Sequence, residues 1–382
     1  MTDNFNSWDD ENVNIKNSLL RGIYAIGFET PSPIQKRAII PMTKKNDIIA
    51  QAQSGTGKTG AFSVGTLQLI DESVEKTQAI IMSPTRELSK QIMDVLKNLS
   101  KFMNIKLQLL IGGTSTDEDK DKLQNDTPHI IIGCPGRIYD MLRRKHINSD
   151  NINLLVLDEA DEMLSSGFKD QIYNIFQYLN NDVQVALFSA TIPNDLYSLT
   201  NQFMRDPIKI LVKQEQLTLQ GIKQYYISLE NDEHKFMALK DLFSAISVNQ
   251  CIIYCNSINR TIDLYNAMVK EEYPVICIHS NMTETERQES YINFKSGQAR
   301  TLICTDLFSR GIDVQQVSVV INFDVPKNIH VYIHRIGRSG RWGRKGMGIN
   351  FVTKRDQGKL DEIRRFYSTQ VDELPLNFAQ DL

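Results

Sequence analysis

The sequence predicts an α/β fold made of two tandem parallel-sheet domains joined by a short flexible linker. Short apolar runs typical of buried strands alternate with segments whose apolar residues have helical spacing, a pattern of parallel sheets covered by helices. The alternation is interrupted by a polar stretch at Arg205–Gln224 and then restarts. The length of 382 residues also exceeds what one hydrophobic core usually supports, so two domains are expected.

The first domain is predicted over residues 1–215 and the second over residues 216–382. The strand-type runs of the first domain are Asn46–Ala52, Ala79–Pro84, His129–Cys134, Leu154–Leu157 and Val185–Thr191. Those of the second are Gln224–Leu229, Cys251–Asn256, Pro274–Ser280, Thr301–Asp306, Ser318–Asp324 and Gly348–Val352. We place the hinge near Leu217–Ile222, inside the polar connector.

Composition is ordinary for a globular protein, with 41% hydrophobic and 23% charged residues. A net charge of −3 argues against a basic coat for nucleic acid but leaves a local basic patch open. No stretch reaches the ~18–20 consecutive apolar residues of a membrane span. The acidic, polar start at residues 1–14 is unlike a secretory or mitochondrial signal, so no membrane association is expected.

The five cysteines are an odd number without the spacing of metal-ligand pairs. Most lie in apolar strand-type runs, which indicates reduced, buried thiols and an intracellular protein. Cys251 and Cys255 are spaced like half of a zinc site, but no second pair follows and we reject a metal there. We expect a cytoplasmic location, with a nuclear role left open.

The segment Ala52–Thr59, AQSGTGKT, predicts a loop that holds nucleotide phosphates at the start of a helix. Its phosphate-cradling residues are Ser54, Gly55, Thr56 and Gly57. Lys58 would reach the β- and γ-phosphates, and the Thr59 hydroxyl would face Mg²⁺. Because Ala52 replaces the first glycine of the motif, a chance match is the alternative for the loop alone.

A pair of carboxylates, Asp158 and Glu159, follows the apolar run Leu154–Leu157. The carboxyl end of a buried parallel strand is where doubly wound sheets place ligand-binding residues. Asp158 is then placed to hold Mg²⁺ through its water shell, and Glu159 to orient or deprotonate the attacking water. The alternative is a helix N-terminus with acidic residues, which the upstream phosphate loop makes the weaker interpretation.

The second half carries a dense group of cations and glycines at His334–Gly346, HRIGRSGRWGRKG. A solvated basic loop is the simple interpretation of such a run. However, arginines that approach a phosphate loop stabilise the charge that develops in phosphoryl transfer, and guanidinium meets phosphate oxygens bidentately. We therefore predict that Arg338 and Arg341 reach the γ-phosphate when the second domain closes on the first.

These segments together resemble the DEAD-box RNA helicases, and among them the branch of eukaryotic translation initiation factor 4A. The matching motifs run in family order through both halves of the chain. They are Gly27–Gln35, AQSGTGKT, Pro84–Leu88, Gly112–Gly113, Pro135–Arg137, Asp158–Asp161, Ser189–Thr191, Ile252–Ser257, Thr305–Asp313 and HRIGRSGR. The connector ending LTLQGIKQ and the tail STQVDELPLN resemble the initiation-factor branch in particular. The resemblance implies that both domains are RecA-like.

The resemblance also implies roles at the nucleotide. Phe28 would stack on adenine and Gln35 would read its hydrogen-bonding edge, which gives a preference for ATP over GTP. Asp313 would contact the ribose from the second domain. Ser189 and Thr191 would couple the nucleotide site to the RNA site.

RNA would cross both domains. The implied contacts in the first domain are Thr85, Arg86, Gly113, Gly136 and Arg137, and those in the second are Asn256, Thr305 and Arg310. Such residues position phosphates without reading sequence, and no aromatic-rich platform is evident, so weak sequence preference is expected. The alternatives are that Thr85 and Arg86 only cap a helix and that Gly112–Gly113 is only a turn.

Three positions depart from the family pattern: Trp8, Cys134 and Glu284. Trp8 stands where the family usually has phenylalanine and keeps an aromatic anchor. Cys134 stands in place of threonine, and Glu284 in place of glutamine three residues before Arg287. Both changes predict somewhat weaker RNA binding than is typical of the family.

The predicted function is ATP-dependent unwinding or remodelling of short RNA duplexes, with ATP and Mg²⁺ as cofactors, in translation initiation. ATP and RNA would jointly close the domains, and hydrolysis would release them. One alternative is an ATP-dependent RNA clamp that serves as an assembly platform in RNA processing. Another is a DNA-directed or protein-directed ATPase. The resemblance further implies a monomer that binds a helical-repeat scaffold protein.

Overall fold

A computed structural model describes residues 5–52, 55–165, 167–192, 194–211, 222–245, 250–306, 317–339, 346–375 and 378. The chain divides into two compact units, Met1–Val212 and Lys213–Leu382. The predicted boundary at 215/216 and most of the predicted hinge lie outside the described residues and stay predictions. Within the described ranges, no helix combines the length and the apolar character that crossing a membrane requires.

The strands of the first unit are β1 Ile48–Gln51, β2 Ala79–Met82, β3 Leu107–Leu110, β4 Ile130–Gly133, β5 Leu154–Asp158, β6 Gln184–Ser189 and β7 Ile208–Ile210. Its helices are α1 Asn17–Ala25, α2 Pro33–Thr43, α3 Lys58–Leu69, α4 Arg86–Leu99, α5 Thr116–Asn125, α6 Pro135–Arg143, α7 Ala160–Ser165, α8 Lys169–Tyr178 and α9 Asn194–Phe203. In the described part of this unit, the strands form one seven-stranded parallel sheet in the order β3-β4-β2-β5-β6-β1-β7.

The strands of the second unit are β8 Ile222–Ser228, β9 Gln250–Tyr254, β10 Val275–Ile278, β11 Thr301–Cys304, β12 Val317–Asn322, β13 Gly346–Val352 and β14 Asp372–Glu373. Its helices are α10 Asp232–Ala245, α11 Ile258–Lys270, α12 Glu284–Lys295, α13 Ile329–Ile336 and α14 Gln357–Tyr367. Its described strands also form a seven-stranded parallel sheet, in the order β10-β11-β9-β12-β13-β8-β14. The predicted α/β class with two parallel sheets is confirmed.

Alternation along the central strands builds a hydrophobic core on each face of the first sheet. Ile130 and Ile132 of β4 face the core packed by α2, α3 and α4, whereas Ile131 faces the core packed by α6 and α8. Both faces of these central strands are buried, which explains why they have continuous apolar sequences. The second sheet repeats this arrangement, with Ile252 and Ile253 of β9 on opposite faces.

Two strands of the first unit differ from the sequence prediction. β3 was not predicted, and β7 lies inside the stretch that we interpreted as a polar connector. Both are edge strands, and their burial alternates or is incomplete, with Leu107, Leu109 and Lys209 partly or fully exposed. Edge strands carry weaker apolar signals than central ones because solvent reaches one side of them.

Sheet order brings three predicted motifs together. β5, β6 and β1 are neighbours, so the loops that follow them leave from the same edge of the sheet. These loops hold the phosphate-loop sequence, the Asp158–Asp161 motif and the Ser189–Thr191 motif. The carboxyl edge of an open parallel sheet is the usual place for a ligand site.

Candidate functional site

The phosphate loop connects β1 to α3, as its sequence predicts. Gly57 is the N-cap residue of α3 and has φ +100°, a left-handed conformation that favours glycine. A Cβ on Gly57 would also lie 2.7 Å from Ser32 Oγ. Both the backbone conformation and the lack of space for a side chain therefore favour glycine at this position. Gly55 has φ +82°, Thr56 is exposed beside it, and Ser54 lies outside the described residues. The loop therefore leads its backbone into a helix N-terminus, which suits an anion.

Lys58 joins the phosphate loop to the acidic motif. Its Nζ lies 3.1 Å from Glu159 Oε1, and both side chains are 5% exposed. Glu159 has φ +53°, uncommon for a residue with a side chain, directly after β5. Such backbone conformations cluster at functional sites, where the surrounding structure enforces them. Two residues separated by 101 positions are thus held in direct contact.

The site carries more buried carboxylate than cation. Asp158, Glu159 and Asp161 are all buried, and Lys58 contributes one positive charge. Burial, and then the charge of Glu159, raise the pKa of Asp158 from 3.8 to about 7, although Lys58 opposes this. Oxygen ligands with excess negative charge fit a divalent cation such as Mg²⁺, with Thr59 one residue after Lys58. The donor set therefore fits the predicted metal.

The predicted adenine residues lie against the first turn of α3. Gln35 Oε1 accepts a hydrogen bond from the Ser32 N–H at 2.7 Å, and its Nε2 donates to the Gly57 carbonyl at 3.3 Å. A Cβ on Gly60 would lie 2.6 Å from Gln35 Nε2 and 3.0 Å from the Phe28 ring. The glycines at 57 and 60 therefore let Gln35 and Phe28 pack beside the phosphate loop.

Trp8 supports this corner from the N-terminal segment. Its indole is 1% exposed and stacks on the Phe28 ring, with 6.5 Å between centroids and an interplanar angle of 18°. Tyr24 and Asp9 share a hydrogen bond that fastens the same segment to α1. The tryptophan thus retains the aromatic anchor expected at this position.

The Ser189–Thr191 motif contacts the acidic motif directly. Ser189 Oγ accepts a hydrogen bond from the Asp161 N–H at 3.4 Å, and Thr191 Oγ1 donates to Asp161 Oδ2 at 2.5 Å. The Ala52 N–H also donates to the Ser189 carbonyl at 3.0 Å. Ser189 therefore contacts both the end of β1 and the motif after β5, and its role in coupling stays a prediction.

The first group of predicted RNA residues lies at helix and loop starts. Thr85 is the N-cap of α4, where its Oγ1 accepts the Leu88 N–H at 3.2 Å, so the capping alternative is confirmed as a structural role. The Arg86 guanidinium packs against Gly112, where an added Cβ would lie 3.1 Å from its Nη2. Gly113 has φ +90° and forms part of a turn. RNA contact by these residues stays a prediction.

Arg137 braces its surroundings from the first turn of α6, where Gly136 also lies. Its guanidinium forms an ion pair with Asp119 of α5 and donates through Nη2 to the Thr114 carbonyl at 2.8 Å. Only 10% of the side chain is exposed. Arg137 therefore holds the turn after Gly113 against α6, a role that sequence reasoning did not predict. Cys134 precedes this helix at the N-cap position and makes no side-chain cap hydrogen bond.

Asn256 and Thr305 in the second unit follow the neighbouring strands β9 and β11. Arg335, fully buried on α13, organises this edge. It donates to Asn256 Oδ1 at 2.8 Å, to the Asp324 carbonyl at 2.7 Å and to Asp306 Oδ1 at 2.5 Å. It thereby ties Asn256 to the residue that follows Thr305.

Asp324 is the second organising residue that sequence reasoning missed. Its carboxylate accepts the Asn256 N–H at 3.0 Å and pairs with Arg260 at 2.7 Å and with the buried Lys235 at 3.4 Å. In the sequence, Asp324 stands out only as an acidic residue at the end of the apolar run of β12. In the sheet, β12 lies beside β9. Isolated charges after strands are too common to identify such a network.

Part of the predicted second-unit site cannot be placed. Arg338 follows α13, and its Nε donates to the His334 carbonyl at 3.1 Å. Arg310, Asp313 and Arg341 lie outside the described residues, so their predicted roles stay predictions.

Two family models match the chain. The DEAD/DEAH box helicase model matches residues 32–199, and the helicase conserved C-terminal domain model matches residues 234–343. Among curated relatives, the chain is 51% identical over 373 residues to eukaryotic initiation factor 4A of Caenorhabditis elegans, covering 98% of this chain and 92% of that protein. It is 52% identical to the ATP-dependent RNA helicase eIF4A of Chaetomium globosum, and the match covers 98% of this chain and 93% of that protein.

Solved structures agree with the sequence matches. Dbp5 of S. cerevisiae bound to RNA and ADP BeF3 superposes with a TM-score of 0.90 at 32% identity, covering 97% of this chain and 96% of that chain. The two parallel sheets are therefore those of tandem RecA-like domains. With a match over nearly its whole length and motifs in the expected order, the chain belongs to the DEAD-box family of ATP-dependent RNA helicases.

Proposed function

We propose that the chain is an ATP-dependent RNA helicase that acts in translation initiation, in the manner of its initiation factor 4A relatives. The contact between Lys58 Nζ and Glu159 Oε1 carries the proposal most directly. It brings a phosphate-binding cation and a carboxylate suited to activate water into one buried site. RNA is the proposed polynucleotide, since structurally similar Dbp5 was solved bound to RNA and ADP BeF3.

Each nucleotide-site residue of the first unit has a proposed role. The loop N–H groups and Lys58 bind the phosphates, while Phe28 and Gln35 hold adenine beside Gly60. Mg²⁺, when bound near Thr59 and Asp158, would neutralise charge on the phosphate oxygens. Glu159 orients the attacking water and accepts its proton.

Coupling to RNA is proposed to run through Asp161, whose backbone and side chain meet Ser189 and Thr191. A change in the loop after β6 would then alter the carboxylates after β5. Arg338, Arg341 and Asp313 are proposed to complete the nucleotide site from the second unit, as in the sequence prediction. Hydrolysis thereby depends on RNA because both ligands are needed to assemble the site.

Steady-state ATP hydrolysis with and without single-stranded RNA tests the proposal. RNA should stimulate hydrolysis, and release of a labelled strand from a short duplex without partner proteins should require ATP. Hydrolysis with no strand release would favour the alternative of an RNA clamp. Stimulation by DNA equal to that by RNA would contradict the proposed substrate.

The remaining proposals concern cell biology. We propose a cytoplasmic monomer that binds a helical-repeat scaffold protein, because the similar relatives are initiation factors. Proteins that co-purify with the intact chain would test the scaffold, and sedimentation of the purified chain would test the monomer.

A further inference from the structure

The C-terminal end of α6 carries a run of exposed cations. Arg143 and Arg144 are 56% and 52% exposed, Lys145 is exposed, and His146 follows them. Asp140 pairs with both arginines, at 2.8 Å and 2.9 Å, so three full positive charges meet one negative charge. This local excess contrasts with the net charge of −3 of the whole chain.

Aromatic rings lie beside these cations. Tyr139 of α6 and Tyr178 of α8 form a tilted pair with 6.3 Å between ring centroids. Tyr178 is 40% exposed, and both tyrosines are close enough to Arg143 to influence the pKa of its guanidinium, which Asp140 chiefly raises. An exposed ring next to guanidinium groups is what single-stranded nucleic acids use for base stacking and phosphate contact.

A crevice of about 190 Å³ with both polar and apolar lining continues the surface at His146. Lys76, Thr127, Asn148 and Asn151 contribute to its lining. Glu75 is also in the lining and contributes a negative charge, since the nearby Lys106 Nζ lies 3.9 Å from Glu75 but 2.8 Å from Asp126. The lining thus offers several donors of the kind that bind phosphate or ribose oxygens.

This surface shares a helix with the proposed RNA contacts. Gly136 and Arg137 are in the first turn of α6, and the cations are at its end. A helix of 9 residues is about 13 Å long, a distance that a few nucleotides of an extended strand can bridge. A strand held at the start of α6 therefore needs only a short extension to reach Arg143.

We propose that Arg143, Arg144, Lys145 and His146, together with Tyr139 and Tyr178, form an auxiliary RNA surface for nucleotides beyond the strand gripped at the motifs. The inference rests on the proposed function, since it extends the same RNA path. The auxiliary RNA surface binds without sequence preference, through phosphates and one stacked base. It raises affinity for long RNA and leaves the contacts of the motif residues unchanged.

The test compares R143Q/R144Q with the matched control K97Q/K101Q in the full chain. Lys97 and Lys101 are exposed on α4 and just after it, and α4 packs on the other face of the sheet. Both double variants change the net charge equally. Binding of oligouridine of about 6 and about 20 nucleotides, with a non-hydrolysable ATP analogue, is measured over a series of salt concentrations.

R143Q/R144Q should lose about 3- to 10-fold affinity for the long RNA, with a salt slope smaller by about 1.4, and keep its affinity for the short RNA. Tyr178→Leu should weaken long-RNA binding with little change in the slope. Equal losses for both lengths, equal losses in the control, or no loss at all would overturn the auxiliary surface. Stronger competition by polyglutamate than by RNA would assign the surface to an acidic protein instead. Failure of wild type to bind the short RNA would contradict the proposed function itself.

Discussion

Replacing Asp158 with asparagine tests how strongly the buried carboxylates of the site destabilise the nucleotide-free chain. Burial and the neighbouring Glu159 raise the pKa of Asp158 from 3.8 to about 7. The folded chain therefore holds this proton more tightly than the unfolded chain does. Consequently, the contribution of Asp158 to the free energy of unfolding is largest at low pH and falls as pH rises from about 4 to about 7.

A pKa difference of this size corresponds to about 4 kcal/mol if Asp158 titrated alone. Because part of this energy comes from the neighbouring charges of Glu159 and Lys58, which act in opposite directions, we expect asparagine to recover about 1–3 kcal/mol at pH 8. Asparagine keeps an oxygen for the Glu159 N–H, which Asp158 Oδ1 accepts at 3.0 Å. The gain in stability should come with loss of ATP hydrolysis, because the proposed Mg²⁺ ligand is removed.

Urea unfolding of the nucleotide-free protein at pH 5 and pH 8 measures how Asp158→Asn changes the free energy of unfolding. The fluorescence of Trp8, buried in the first unit, reports that unit in a Trp342→Phe background. Asp94→Asn, an exposed change on α4, is the control for charge alone. The difference between Asp158→Asn and wild type should grow from pH 5 to pH 8. An asparagine variant less stable than wild type at pH 8 would refute the assigned cause.

Four further outcomes are expected. Glu159→Gln should bind ATP and RNA but hydrolyse ATP about 10²- to 10⁴-fold more slowly, as a loss of general-base catalysis requires; rapid RNA-stimulated turnover would contradict that role. Arg341→Ala should lose about 10³-fold or more in kcat while keeping nucleotide affinity, and loss of both would indicate misfolding instead. Cys134→Thr should supply the missing cap of α6, adding about 0.5–1 kcal/mol to stability and strengthening RNA binding; binding measured beside thermal unfolding separates the two, and unchanged affinity would reject the RNA role. Gly60→Ala should weaken ATP binding about 10-fold, measured by titration, because its Cβ meets Gln35 Nε2 at 2.6 Å; unchanged affinity would remove Gln35 from the adenine site.

The sequence predicted the central strands and the ligand edge well because both depend on local patterns. Runs such as Ile130–Ile132 are buried on both faces, so their apolar character is continuous. The edge strands β3 and β7 escaped prediction because exposed positions dilute the same signal. Gly57 was correctly placed at a helix start because its motif encodes a left-handed turn.

Long-range contacts between polar side chains were beyond the sequence. Arg137 was predicted as an RNA contact, yet its guanidinium pairs with Asp119, which is 18 residues away on another helix. The sequence showed no aromatic-rich platform. Tyr139 and Tyr178 nevertheless form an aromatic pair, which no local pattern indicates. Such pairs depend on how α6 packs on α5 and α8, and packing is decided by the whole fold.

The central claim is that RNA governs ATP hydrolysis at the site joined by Lys58 and Glu159. The most direct measurement is the steady-state rate of ATP hydrolysis by the purified full chain with single-stranded RNA, with DNA of the same sequence and length, and with neither. The account predicts a rate that rises several-fold or more with RNA and stays near the basal value with DNA. Equal rates in all three conditions would contradict it.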